Sequence, residues 1–122
     1  MMKNMKTVTA NGRTAAVVCS ETVCIADTQS ALDVMMAAKY EAGTGLLAIQ
    51  KEALTEDFFI LSTGLAGEIL QKFVNYGVRC AVFGDFSRYT SKPLRDFIRE
   101  SNRGTAVFFT EDEAAAVRRL TE

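Results

Sequence analysis

The 122-residue chain has no histidine, no tryptophan and one proline, and its three cysteines include no Cys-X-X-Cys pair. Without histidine there is no His-dependent nucleophilic triad, and with neither histidine nor a Cys-X-X-Cys no tetrahedral zinc centre is expected. Cys19, Cys24 and Cys80 are odd in number and lie in apolar, strand-like surroundings. That pattern reads as reduced, buried thiols rather than a secreted disulfide framework, with a Cys19–Cys24 redox pair as the alternative. Excess charge of one sign is also lacking: fourteen Lys plus Arg against fifteen Asp plus Glu leave a net charge of −1. Such a balance offers no sequence-independent pull on a phosphate backbone, so no nucleic-acid partner is expected. No stretch approaches the ~20 apolar residues that cross a bilayer, and the basic start runs into Thr7, Thr9 and Asn11 rather than an apolar run. These features predict a cytoplasmic protein with no membrane partner. At 48% hydrophobic residues, the chain carries enough apolar surface for one core, read as a single domain over residues 1–122.

Two β-prone runs, residues 5–9 and 14–19, flank Asn11-Gly12, a strong hairpin signal. Asp27 stands where an N-cap belongs, ahead of Ala31, Leu32, Met35, Met36 and Tyr40 at helical spacing, which predicts a helix over 28–41 ending before Gly43. A short apolar strand follows at 46–50. After an acidic connector (Glu52, Glu56, Asp57), a second helix starts at Ser62-Thr63-Gly64 with Leu65, Ala66, Ile69, Leu70, Phe73 and Val74 inward and Gly77 as its left-handed stop. Residues 79–84 read as a strand covered on both faces. A third helix, with Ser91 as N-cap and Pro93 in the first turn, turns Leu94, Phe97 and Ile98 inward. A last strand over 106–110 leads into a terminal helix opened by Thr110 or Glu111. Strands alternating with helices after a hairpin give an α/β fold with a mostly parallel sheet and helices packed on it.

Four groups of residues could carry chemistry. Ser62, Thr63 and Gly64, at the start of the second helix, could present a hydroxyl to a partner or hold an anion; a plain helix cap is the simpler role. The loop Asp85, Ser87, Arg88, Tyr89, with Lys92 nearby, lies past the carboxyl end of a strand, where ligands of open α/β sheets collect. No base is evident there to activate Ser87, because Asp85 would need a raised pKa. Lys92, Arg95, Arg99 and Arg103 form a basic row at helical spacing, which fits an anionic partner or a solvated face. The connector carboxylates lack the pattern of a calcium loop, so no metal or other cofactor is expected.

Residues 56–104 include Leu-Ser-Thr-Gly-Leu-Ala-Gly-Glu-Ile-Leu-Gln-Lys-Phe, Gly-Asp-Phe-Ser-Arg-Tyr and Leu-Arg-Asp-Phe-Ile-Arg-Glu-Ser-Asn-Arg-Gly. With these runs the chain closely resembles a bacterial family designated domain of unknown function 4180. More distantly it is similar to STAS domains, named for sulfate transporters and anti-sigma-factor antagonists. Their element order looks the same, and bacterial members carry Asp-Ser-Ser/Thr-Gly-Leu/Val, whose first Ser is phosphorylated by a partner kinase. Leu61-Ser62-Thr63-Gly64-Leu65 matches four of those five positions, with Leu61 in place of the acidic residue. The resemblance implies a STAS-like, protein-binding regulatory module without catalysis, whose partner is a kinase or regulator and whose Ser62 is a phosphoserine switch. A small-ligand sensor or weak enzyme using Asp85, Arg88 and Tyr89 is the competing expectation, and a homodimer through a sheet edge or helix face is a third.

Overall fold

The computed structural model describes residues 3–122. Strands β1 (Met5–Ala10) and β2 (Arg13–Val18) form the expected antiparallel hairpin. Asn11 and Gly12 turn it with φ of 54° and 73°, the two positive values that a type I′ turn requires. Next come α1 (Thr28–Met36), β3 (Leu46–Gln50), α2 (Leu65–Asn75), β4 (Arg79–Phe83), α3 (Lys92–Arg103), β5 (Val107–Thr110) and α4 (Glu113–Thr121). The sheet runs in simple order β1-β2-β3-β4-β5, parallel from β2 onward.

Period-two alternation divides the sheet residues between two apolar layers. Ala16, Val18, Leu47, Ile49, Cys80, Val82 and Phe109 face α1, α2 and α3, where Met35, Ile69, Phe73 and Leu94 meet them. Ala15, Val17, Leu46, Ala48, Ala81, Phe83 and Phe108 face α4 and its Ala116, Val117 and Leu120. Repeated right-handed crossovers in one direction place the three connecting helices on one face, and the terminal helix folds back over the other.

Asp27 caps α1 as expected: its carboxylate accepts from the Ser30 N–H at 2.8 Å, while the Ser30 hydroxyl accepts from the Asp27 N–H. Beyond Met36 the helix widens into a π-helical turn, Ala37–Glu41. The wider turn changes the register, burying Ala37 and Ala38 and leaving Tyr40, expected inward, 80% exposed. Val74 of α2 is likewise exposed rather than buried. The terminal helix is opened not by Thr110 or Glu111 but by Asp112, whose carboxylate accepts from the Ala115 N–H, because Thr110 is still committed to β5. Ser91 does occupy the N-cap of α3, with Pro93 in the first turn, yet its side chain makes no capping bond.

All three thiols are free, Cys80 buried and Cys19 and Cys24 half-buried. Cys19 donates to Glu113 at 3.3 Å, and burial, with that carboxylate's help, pushes its thiol pKa up. Cys24 points instead to the Thr22 carbonyl. No helix of the described residues is long and apolar enough to cross a membrane.

Candidate functional site

The parallel strands end together on one side of the sheet, and three segments gather there. One is the connector after β3, three short 3₁₀ turns over Lys51–Ala53, Glu56–Phe59 and Leu61–Thr63. The second is the loop from Gly84 to Ser91, and the third is α3.

Ser62 does not open α2. It lies in its own 3₁₀ turn, and Gly64, with φ of 78°, breaks the chain before the helix begins at Leu65. A left-handed residue cannot continue a right-handed turn, which is why glycine stands there. The two hydroxyls of the motif have different roles. Thr63 donates to the carbonyls of Asp57 and Ile60 and accepts from the Leu65 N–H, tying the turns together. Ser62 is exposed, and its hydroxyl makes no hydrogen bond among the described residues. It lines a groove of about 410 Å³ with Phe59, Ile60, Leu61, Arg88, Tyr89 and Leu94.

That groove brings the first candidate group to the second. Arg88 pairs with the Glu56 carboxylate, and the Tyr89 hydroxyl donates to the same carboxylate at 3.1 Å. Tyr89 stacks on Phe59 with ring centroids 5.0 Å apart. Glu56, read as part of a solvated connector, is thus the point where connector and loop are latched.

Asp85 accepts from the Ser87 N–H at 2.9 Å, a two-residue turn that shapes the loop. Hydrogen bonds from Ser87 hold the Asp85 carboxyl below the usual carboxylate range, and the charges of Lys51 and Arg88 act in the same direction. This is opposite to the shift a general base would need. It also sets a pH dependence. A depressed folded pKa means that Asp85 stabilises the loop fully above its unfolded value of about 3.9, and that this is lost as the pH falls through the lower folded value. Asp85→Ala is therefore expected to melt below wild type at pH 6, with the gap closing in the acid range below pH 4, as thermal unfolding at the two pH values would read.

The structure adds one residue that sequence reasoning missed. Lys51, directly after β3, is only 6% exposed. Its ammonium lies 3.6 Å from Glu52 and 5.2 Å from the centre of the Tyr89 ring, and its stem packs against Gly84. The pairing of Gln50 with Phe83 is what places Lys51 beside Gly84, so a correct register would have exposed the contact.

The basic row is not uniform. Lys92 and Arg99 both pair with Asp96, Lys92 at 2.7 Å, and these cations, Lys92 foremost, lower the Asp96 pKa. Arg95 and Arg103 form no salt bridge among the described residues. They line, with Arg99, Ile98, Phe86 and Tyr89, a second and larger cleft of about 600 Å³. Lys92 stays outside both clefts. Among the described residues there is no group of three or more His, Cys, Asp or Glu placed to hold a metal ion.

Fold and site together define a five-stranded, mostly parallel α/β domain with these two grooves beside the loops that follow its strands. The family described as "Domain of unknown function (DUF4180)" matches residues 10–120, nearly the whole length, and the chain belongs to it. No curated protein and no solved structure matches the chain.

Proposed function

We propose that this protein is a non-enzymatic regulatory module, STAS-like in build, which docks on a partner protein through the groove beside the Leu61–Thr63 turn and is switched by phosphorylation of Ser62. The observation that carries this reading is the position of a free hydroxyl in a groove of zero net charge. Among the described residues Glu56 and Arg88 are the only charged ones lining it and they cancel, while Phe59, Ile60, Leu61, Pro93 and Leu94 make the rest largely apolar. Ile60 is half-exposed on the rim. Such a surface suits an apolar side chain of a partner.

A phosphoryl group on Ser62 adds about −1.5 to −2 charges to that groove. An apolar contact would then have to desolvate a dianion, and Arg88 would be drawn from Glu56 toward the phosphate. Each 1.4 kcal/mol lost in this way weakens docking about tenfold. The element order and the Ser-Thr-Gly-Leu motif support the same assignment.

Phosphopeptide mapping of the protein from its native cells tests this, with phosphate expected on Ser62 and not on Thr63, whose hydroxyl is tied down. Partners captured by wild type and by Ser62→Ala should be lost from Ser62→Asp. Equal capture by all three, or an unmodified Ser62 across growth conditions, would overturn the switch.

A further inference from the structure

The larger cleft lies apart from Ser62, between the Gly84–Ser91 loop and α3. We infer that it binds an amphipathic organic anion, a small molecule with an aromatic or acyl body and one carboxylate, sulfonate or phosphate group. Three observations lead there. The volume of about 600 Å³ falls inside the range of small-molecule sites, roughly 300–1,000 Å³. The loop side of the cleft carries the rings of Phe86 and Tyr89, and Phe86 is itself braced edge-on by Phe109 from β5. The α3 side carries Arg95, Arg99 and Arg103, spaced by four residues and hence about 6 Å apart along the helix, with Ile98 among them.

The charge distribution decides between a ligand site and a plain solvated face. Asp96 pairs with both Arg99 and Lys92, one carboxylate between two cations, and Lys92 lies outside the cleft. Arg95 and Arg103, on either side of Arg99, form no salt bridge among the described residues, Arg95 acting on Asp96 only through its charge. A solvated row requires no aromatic rings beside it, and a nucleic-acid surface requires more than three arginines on a chain of net charge −1. An apolar body against Phe86 and Tyr89 with its acid group toward Arg95 or Arg103 uses both sides of the cleft at once, and the hydroxyls of Ser87 and Thr90 line the same opening.

Anilinonaphthalene sulfonate, whose fluorescence rises on leaving water, is a suitable probe because it joins an aromatic body to one anionic group. Folded wild type is expected to bind it saturably, with one site per chain. Arg95→Gln combined with Arg103→Gln should weaken binding about tenfold, the equivalent of one lost charge-assisted contact. Both side chains are exposed, so the melting temperature of that variant serves as the check that it is folded. The uncharged relative N-phenylnaphthylamine should bind wild type and variant alike. Equal sulfonate binding by wild type and variant would overturn the inference by removing the arginines from the site. Failure of N-phenylnaphthylamine to bind wild type would overturn it by removing the apolar contact.

Discussion

Gly84→Ala is expected to destabilise the protein by about 2–4 kcal/mol, combining backbone strain with overpacking. For a domain of this size that is a fall of roughly 10 °C or more in melting temperature. Gly84 has φ of 155°, a conformation that residues with a Cβ rarely adopt. A Cβ built there would stand 2.8 Å from the Cβ of Lys51 and 3.3 Å from its Cδ. Neither side can step away. The Gly84 N–H donates to the Thr110 carbonyl and so belongs to the β4–β5 ladder, while the Lys51 carbonyl accepts from the Leu54 N–H in the first 3₁₀ turn. Since the closest atom is the Lys51 Cβ, changing its rotamer brings no relief. Lys51→Ala in the same chain should recover only part of the loss, and Lys51→Gly should recover more. Because Gly84 begins the loop that holds Arg88 against Glu56, the single variant should also lose sulfonate binding in the larger cleft. A melting temperature within 2 °C of wild type would show that the strand ends are not packed this tightly.

The elements that could be read in advance are those whose cause is local. Asn11-Gly12 needs only its own two backbone angles to make a hairpin, and Asp27 needs only Ser30 to cap a helix. The strand at Leu46–Gln50 is bounded by glycines on one side and charge on the other, and its limits are those expected. Tyr40 defied its spacing because a π turn depends on how a helix end packs, and periodicity at 3.6 residues carries no mark of it. Gly64 was visible as a residue but not as a break, since Ser-Thr-Gly fits an ordinary helix start equally well.

For the grooves the limit lies in distance along the chain. Arg88 and Glu56 are 32 positions apart, and nothing in either neighbourhood marks the other as its partner. Lys51 looked like one more charge after a strand, and only the alignment of β3 with β4 reveals that it is enclosed. The loop and the basic row were legible separately because each has a composition and a spacing. Their meeting in one cleft is a property of the sheet order, which places α3 over the β4–β5 side of the molecule.

Asn102 is the residue whose loss should most change how the molecule behaves in solution. Strand β5 is an edge, paired among the described residues only with β4, and in a parallel ladder alternate residues direct both backbone groups away from the neighbour. Phe109 is such a residue. Its N–H donates to the Asn102 Oδ1 at 2.7 Å, and its carbonyl accepts from the Asn102 Nδ2 at 3.1 Å. The amide of Asn102 thus stands in for one residue of a missing sixth strand, held in place by Arg119, whose guanidinium donates to the Asn102 backbone carbonyl at 2.8 Å. Asn102→Ala leaves two half-buried backbone groups without partners, a loss of about 2–3 kcal/mol. It also uncovers an edge able to pair with a second copy, so sedimentation should show concentration-dependent association absent from wild type. Asn102→Asp separates the two bonds. The introduced carboxylate still accepts from the Phe109 N–H but faces the Phe109 carbonyl, and only its protonated form can donate there. Its folded pKa is then raised above the unfolded value of about 3.9, so its stabilisation is present below that value and is lost as the pH rises through the folded pKa. The Asn102→Asp chain should therefore approach wild-type stability in acid and fall behind it toward neutral pH. A constant gap between the two melting curves from pH 3 to pH 7 would mean that the amide does not bridge the edge of β5.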